Sequence, residues 1–506
     1  MMGFIGRALV GISLVFTPAI SAHATTLTMA VRALPASLGN PFTSVGQPAS
    51  EAWGAIFDAL TYIDGKGTLQ PALAVSWTAT SSTEWVFQLR EGVTFQNGEP
   101  FNAQAVIDTL SLLLSDAGRG YFVSPEVAGI AAMRSPDPYT LILTTKTPDA
   151  ILPTRLSLIS IVAPKAWATL GPDQFAQSPV GTGPFRVLGW GSGNRGRLAG
   201  FEKSWRAPRL QALEFRVIPE SASRLQALMS GSADVATGLS PEDFTLLPAE
   251  GFKTYTIETA AVFAIALRNI GNPTSPLQEA RVRKALNLAV DRQKIAQGIF
   301  NGTVKPASQG AQDNTFGFNP DLQPLAYDPA RARQLLAEAG YPNGFSLNFD
   351  VLIGFAAADA ALYQKVVDDL AQIGVKVTLR ATPYATWLQK YTSGAWSDTD
   401  GFSARWDSGA YADTIRAITA ASCDKPGPFF CAPELMADIR ATNSTFEPER
   451  RRQQLQSIMA RLRDDVAPAI WLVPANFYVA TSDHLIHFTA REHGLRYDAL
   501  DLMPKR

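Results

Sequence analysis

The segment Ser178–Val187, SPVGTGPFRV, constrains the fold of this 506-residue chain more than any other stretch. Gly181 and Gly183 bracket a threonine and are followed by Pro184, so the backbone can turn sharply but must then extend. Proline fixes its own φ and disfavours the helical conformation in the residue before it. We therefore predict a structural joint, in which a glycine-rich turn leads into a β-strand that opens at Pro184.

The first 24 residues have the composition of a secretory signal peptide. Arg7 supplies a positive charge, Ala8–Ile20 is apolar apart from small residues and a proline, and Ala22-His23-Ala24 fits a cleavage site. The alternative, a membrane anchor, is disfavoured because the apolar run is shorter than the roughly 20 residues that span a bilayer. No cysteine lies near the cleavage site for lipid attachment. We expect a soluble periplasmic protein whose mature chain starts at Thr25.

The length of the chain predicts two or three domains, because it exceeds what one hydrophobic core supports. Hydrophobic residues make up 46% and charged residues 18%, which is typical of globular proteins. Lys and Arg number 44 against 45 Asp and Glu. This balance argues against a nucleic-acid partner.

Helical and strand patterns alternate along the chain. Ser50 is predicted to cap a helix whose apolar residues recur at i, i+3, i+4 and i+7, namely Trp53, Ile56, Phe57 and Leu60. The apolar run Ala260–Leu267 predicts a fully buried strand. Asp328, followed by proline, predicts a helix start, and Gly340 predicts its end. Such alternation with short connections indicates an α/β fold.

Five motifs follow one another along the chain: LAVSW at 73–77, EWVFQLREGVTFQNGEPF at 84–101, VGTGPF at 180–185, QEARVRKALNLAVDRQKI at 278–295 and YDPARARQLLAEAGYPNGF at 327–345. In the same order, they resemble motifs of the family 5 extracellular solute-binding proteins, the peptide and nickel receptors of ABC importers. The chain departs from the family at Gln96 and Asn97, where many relatives carry His-Asp. Arg283 and Asp291 of the fourth motif are interpreted as structural ion partners rather than ligand contacts.

The resemblance implies a type II periplasmic-binding-protein fold with two lobes and an extra domain inserted in the first lobe. Domain I is then formed by residues 25–66, 177–260 and 475–506, domain II by 67–176, and domain III by 261–474. The chain crosses between the lobes near 257–262 and 471–477, which would form the hinge. Ligand is expected between the lobes, and a membrane permease driven by an ATPase would receive it. A monomer without cofactor or metal is expected.

The stretch Asp400–Asp413, DGFSARWDSGAYAD, is the candidate recognition segment and is predicted to be a loop. An ordinary surface loop is the alternative. Aromatic rings provide flat apolar walls for a ligand, and a buried charge fixes one of its ends. The candidate ligand-binding residues are Arg405, Trp406, Asp407, Tyr411 and Asp413. Arg405 and Trp406 belong to no periodic core pattern, so we expect both to be dispensable for folding.

In peptide receptors of the family, an aspartate in this segment holds the α-amino group of the ligand, and Ala410 stands at that position here. Either Asp407 replaces the missing carboxylate, or the ligand itself presents carboxylates, as metal chelates and opine-like molecules do. Arg405 is the natural bidentate partner for a carboxylate. The sequence thus favours a periplasmic receptor for a peptide or peptide-like molecule. A nickel-chelate or opine receptor, and a sensor or chaperone without transport, remain alternatives.

Cys423 and Cys431 are predicted to form a disulfide, because the periplasm oxidises thiols. A metal site there would need further ligands, and His484, His487 and His493 are far along the chain.

Enzyme motifs are weak throughout the sequence. Gly191, Gly193 and Gly196 match G-x-G-x-x-G, but the alternating residues around them predict a hairpin rather than a nucleotide site. G-x-S-x-G, H-E-x-x-H and P-loop patterns do not occur. A binding protein is therefore favoured over a secreted hydrolase.

Overall fold

The computed structural model describes residues 26–353, 358–425, 427–489 and 496–503. The predicted signal peptide and its cleavage site lie outside these residues, as does His493. Along the described chain, every helix is too short or too polar to cross a bilayer.

The described residues form twenty strands. The first ten are β1 (Thr26–Val31), β2 (Thr61–Ile63), β3 (Leu69–Pro71), β4 (Ala74–Ser81), β5 (Glu84–Leu89), β6 (Ile130–Asp137), β7 (Thr140–Thr145), β8 (Phe185–Gly189), β9 (Arg195–Gly200) and β10 (Ala212–Val217). The others are β11 (Val235–Thr237), β12 (Lys253–Ile257), β13 (Ala261–Leu267), β14 (Phe345–Val351), β15 (Val375–Ala381), β16 (Gly401–Asp407), β17 (Ala469–Pro474), β18 (Phe477–Thr481), β19 (Leu485–Ile486) and β20 (Asp501–Leu502).

Fourteen α-helices accompany these strands in the described part of the chain. The first seven are α1 (Ala49–Ile56), α2 (Ala103–Leu114), α3 (Leu152–Arg155), α4 (Pro164–Gln177), α5 (Ser221–Met229), α6 (Pro241–Leu246) and α7 (Ala280–Leu288). The others are α8 (Arg292–Gly298), α9 (Pro329–Glu338), α10 (Asp359–Ala371), α11 (Tyr384–Ser393), α12 (Ile415–Thr419), α13 (Met436–Asn443) and α14 (Pro448–Arg461). The alternation of strands and helices confirms the α/β class.

The first lobe contains a seven-stranded sheet in the order β12-β18-β11-β1-β10-β9-β8. The central strand β1 pairs in parallel with β10 and β11, and β18 runs antiparallel to β11 and β12. The sheet therefore draws its strands from the start, the middle and the end of the chain, the three stretches predicted for domain I. A four-stranded sheet, β4-β5-β7-β6, lies in the same lobe, and the two sheets share one hydrophobic core.

The second lobe is built on a five-stranded sheet in the order β15-β14-β16-β13-β17. Every residue of β13 is buried, as the apolar run predicted. Both β13 and β16 lie inside this sheet, and Arg405 and Asp407 at the end of β16 are only partly buried.

The predicted boundary at 66/67 falls inside a hairpin, since Ile63 of β2 pairs with Leu69 of β3. Within the two predicted crossings, residues 258–260 and 475–476 lie outside strands. They bond each other, since the Thr259 hydroxyl donates to the Ala475 carbonyl at 3.0 Å.

The glycines of the joint serve close approach rather than a special turn. Neither has a positive φ, but a Cβ at Gly181 would lie 2.1 Å from the carbonyl oxygen of Ile56. The Gln96 side chain closes the same contact, because its Nε2 donates to the carbonyls of Ile56, Gly183 and Phe185. The residue at which the chain departs from the family motif therefore ties the inserted domain to the end of α1.

Local predictions have mixed outcomes. Asp328 caps α9 by accepting from the Arg331 amide at 2.8 Å, as predicted. The stretch that contains Gly191, Gly193 and Gly196 forms the β8–β9 hairpin, also as predicted. The Ser50 cap is wrong, because α1 begins at Ala49 and Ser50 lies inside it.

Arg283 and Asp291 are structural, but they do not pair with each other. Arg283 donates to the carbonyls of Leu277, Gln278 and Val466. Asp291 caps α8 by accepting from the Lys294 amide at 3.0 Å.

Cys423 and Cys431 are joined by a disulfide in the structure. Closing so short a loop restricts the unfolded chain and is expected to stabilise the fold by roughly 2 to 3 kcal/mol. The Cys423→Ser, Cys431→Ser double variant should therefore unfold at a lower temperature in a thermal scan. Intact-mass measurement with and without reductant counts the thiols, and two unbridged thiols in protein from the periplasm would contradict the bridge.

Candidate ligand site between the lobes

Two adjoining cavities lie between the lobes. The first has a volume of about 210 Å³ and is walled by aromatic residues of the first lobe, among them Trp53, Phe57, Tyr62 and Trp205. The second has a volume of about 320 Å³ and lies beside the crossing at residues 475–476. Gln47, Arg405 and Phe477 line both cavities. Arg405 thus stands at the junction of the two spaces.

The first half of the recognition segment is a strand, not the predicted loop, while residues 408–413 are irregular. Residues 401–407 form β16, which pairs with β13 along its whole length, with Arg405 opposite Phe263. Successive side chains of a strand point to opposite faces. Arg405 and Asp407 therefore share one face and reach the first cavity, while Trp406 points the other way.

Arg405 carries a positive charge into the cleft without an ionic partner among the described residues. Its guanidinium carbon lies 4.7 Å from the centroid of the Phe477 ring, which belongs to the other lobe. Its Nε is buried and has no hydrogen-bond acceptor within the described part of the chain. A buried donor on a charged group is costly unless an acceptor reaches it. An anionic ligand would supply that acceptor.

Asp407, by contrast, already has partners. It forms an ion pair with Arg416 at 2.8 Å and accepts from the Gly409 amide at 2.6 Å. Its carboxylate is therefore less suited to receive a ligand amine than the sequence alone indicated. Ala410, which the family resemblance aligns with the aspartate of peptide receptors, lines the first cavity as well.

Ser50 is a cavity residue that the sequence did not single out as one. It lines the first cavity, and its Oγ is buried without a hydrogen-bond partner among the described residues. The sequence analysis interpreted Ser50 as a helix cap and therefore did not consider it as a ligand contact. A polar group of a ligand in the first cavity would satisfy the hydroxyl.

Trp406 lies in the core of the second lobe. Its side chain is 2% exposed and packs edge-on against Trp471 and Phe429, at centroid distances of 5.9 and 6.2 Å. Gly310 packs so closely that an added Cβ would lie 2.5 Å from the indole. This packing argues against the expectation that Trp406 is dispensable for folding.

Tyr411 joins the two lobes instead of lining either cavity. Arg155 donates to its hydroxyl at 2.9 Å, the hydroxyl donates to Glu126, and Arg155 also pairs with Asp149. We call these four residues the Tyr411 cluster. Burial and the charge of Glu126 raise the pKa of Tyr411 above its usual range, so the phenol stays protonated.

Asp413 also lies outside both cavity linings. It is buried, forms an ion pair with Arg451, and accepts from the Ile415 amide at 2.9 Å. Both carboxylate oxygens thus have partners inside the second lobe.

Asp58 lines the first cavity, and its carboxylate already has hydrogen-bond donors within the protein. Its carboxylate accepts from Arg206 at 2.7 Å, from the Trp205 indole at 2.9 Å and from the Thr182 hydroxyl at 2.8 Å. These bonds tie the end of α1 to the joint and hold the Trp205 ring in place.

Glu51 lines the second cavity and is buried. Burial raises the pKa of Glu51 from 4.5 to about 7, against the opposing effects of the Thr237 hydroxyl and of the Arg32 and Arg224 charges. Between these values the folded protein keeps a proton that the unfolded chain has released. The free energy of unfolding should therefore fall as the pH rises from about 4.5 to about 7, by up to about 3 kcal/mol.

Glu51→Gln should remove this pH dependence, because the amide does not titrate. Melting temperatures of variant and wild type should nearly coincide at pH 5, and the variant should melt higher at pH 8. Glu220→Gln, an exposed glutamate at the rim of the same cavity, is the matched control. Equal melting temperatures of Glu51→Gln and wild type at both pH values would contradict the prediction.

Two α/β lobes that enclose a solute-sized cavity at their junction define a type II periplasmic-type binding protein. The family model described as bacterial extracellular solute-binding proteins, family 5 Middle, matches residues 68–421. The chain belongs to this family, as the sequence motifs predicted.

One curated relative illustrates the sequence similarity. The glutathione-binding protein GsiB of Escherichia coli K12 is 31% identical over 341 residues, which cover 65% of this chain and 64% of GsiB. The chain thus aligns with slightly less than two thirds of the length of that relative.

Two solved structures share the fold across almost the whole chain. DppA of Helicobacter pylori, in complex with the peptide STSA, superposes with a TM-score of 0.81 at 21% identity and covers 94% of this chain and 98% of its own. AgaA of A. tumefaciens R10, in complex with agropinic acid, gives a TM-score of 0.82 at 22% identity and covers 95% and 99%.

Proposed function

We propose that this protein is the periplasmic solute-binding component of an ABC importer and that it captures a small, carboxylate-bearing, peptide-like or opine-like molecule between its lobes. The observation that carries the proposal is the guanidinium of Arg405 in the cleft, with a buried Nε that lacks an acceptor in the described chain. A carboxylate accepts two parallel bonds from a guanidinium and neutralises it.

Two further observations favour an anionic over a cationic ligand end. Ala410 provides no charge to hold an amine, and Asp407 is paired with Arg416. The named ligands of GsiB and AgaA, glutathione and agropinic acid, are both carboxylic acids.

The proposed mechanism is closure of the second lobe, domain III (261–474), onto the first lobe, domains I and II. The crossings at 258–260 and 475–476 would act as the hinge, because they are short and connect the two large sheets directly. Ligand in the cleft would favour the closed form, which a membrane permease would recognise.

A ligand screen tests the proposal. We expect one class among peptides, chelates and opine-like acids to raise the melting temperature of the mature protein, by an amount equivalent to about 2.7 kcal/mol at a hundredfold excess over Kd. Titration calorimetry should then give saturable binding at one site per chain. Turnover of a compound without saturable binding would overturn the proposal in favour of an enzyme.

A further inference from the structure

The second cavity brings together charged side chains from both lobes. Arg32 follows β1 and Glu51 belongs to α1, both in the first lobe, while Arg405 reaches the same space from β16 of the second lobe. The cavity, at about 320 Å³, is larger than the first. It is therefore roomy enough for part of a ligand.

The arginines of this cavity differ in how their donors are used. Arg224 is committed to structure, because it donates to the carbonyls of Ile218, Pro219, Thr237 and Gly238. Arg405 has the buried Nε without an acceptor among the described residues.

Arg32 and Arg405 line the same cavity and carry like charges. Burial lowers the pKa of Arg32 from its usual value, Glu51 and Asp359 oppose that shift, and the positive charge of Arg405 adds to it. When the lobes come together, the positive charges of Arg32 and Arg405 therefore face each other across the cavity and repel. A bound anion between them would turn this repulsion into two attractions.

We propose that the second cavity is an anion subsite, in which one carboxylate of the ligand is held between Arg32 of the first lobe and Arg405 of the second. The rest of the ligand then extends past Arg405 into the aromatic first cavity. The inference rests on the proposed function and narrows its substrate class to acids with an apolar body. In this arrangement the ligand carboxylate also stabilises the closed form directly, because it pairs with an arginine from each lobe.

A pair of shape-matched probes tests the subsite. The acid 3-phenylpropionate and its uncharged amide, 3-phenylpropionamide, differ in the anionic group alone. Titration calorimetry should show that the acid binds wild-type protein at least about tenfold more tightly than the amide. Arg32→Ala should lose most of that difference, Arg32→Lys should keep part of it, and the exposed Arg186→Ala should behave like wild type.

A double-mutant cycle separates one shared carboxylate from two independent contacts. If Arg32 and Arg405 hold the same group, the Arg32→Ala, Arg405→Ala double variant should bind the acid little more weakly than the weaker single variant. Additive losses would overturn the shared subsite. Equal binding of acid and amide by wild-type protein, or no binding of the acid, would also overturn it.

The pH supplies a second readout. Glu51 faces Arg32, Arg224 and the Thr237 hydroxyl, and its backbone carbonyl accepts from Tyr497. Protonation of Glu51 removes a negative charge beside the subsite, so the acid should bind more tightly at pH 6 than at pH 8 in wild-type protein. Glu51→Gln should flatten this dependence, and an unchanged dependence in the variant would contradict the assignment.

The outcomes distinguish this inference from the proposed function. A compound from the ligand screen that binds Arg32→Ala as tightly as wild type would remove the anion subsite and leave the receptor role standing. Failure of every compound to bind saturably would remove both.

Discussion

Arg405→Ala should weaken binding of the acidic ligand by roughly 30-fold to several-thousand-fold. Truncating one member of a buried charge pair typically costs 2 to 5 kcal/mol or more, and each 1.4 kcal/mol is tenfold in Kd. The variant should remain folded, because the Arg405 side chain lies at the cavity junction and makes no ion pair among the described residues. Titration calorimetry of folded Arg405→Ala measures the loss.

Two variants control this experiment. Arg405→Lys keeps the charge but not the bidentate geometry and should recover only part of the affinity. Arg186→Ala removes the same charge from an exposed position of β8 and should bind normally. Wild-type affinity of Arg405→Ala, or tightest binding of cationic ligands without a carboxylate, would make Asp407 the leading anchor instead.

Trp406→Ala should destabilise the protein by about 3 to 5 kcal/mol, the usual cost of truncating a buried aromatic side chain to alanine. The indole packs among Trp471, Phe429 and Gly310, and the second lobe is too tightly packed to refill the space. Denaturant unfolding followed by circular dichroism should show an earlier transition.

Trp77→Ala is the matched control, since it truncates the same residue type on the partly buried strand β4 and should cost less. A Trp406→Ala variant with unchanged stability but lost binding would return Trp406 to the ligand site.

The fold was predictable from the sequence because its signals are local. Caps such as Asp328, the apolar run of β13 and the ordered motifs each report on a short stretch of chain. The ends of elements were less certain. Ser50 resembles a cap by residue type, yet α1 starts at Ala49, with Pro48 before it.

The site was harder to predict because it depends on burial and on distant segments. After Gly401, residues 402–407 alternate between apolar and polar side chains, as a strand with one covered face does. The glycines, serines and aspartates of the whole stretch 400–413 nevertheless resemble a loop by composition. The opposite orientations of Arg405 and Trp406 follow from the strand alone. The second cavity joins Arg32, Glu51, Arg405 and the crossing at 475–476, which no local pattern connects.

The Tyr411 cluster links the two lobes at a place apart from both cavities. Its bonds between Tyr411, Glu126 and Arg155 form between the lobes but touch neither cavity lining. Under the proposed closure, these bonds would contribute the same free energy to the closed state whichever molecule is enclosed, and a change in the cluster would multiply every dissociation constant by one common factor. The order of preference among solutes would then be set in the cavities, and the overall affinity at the cluster.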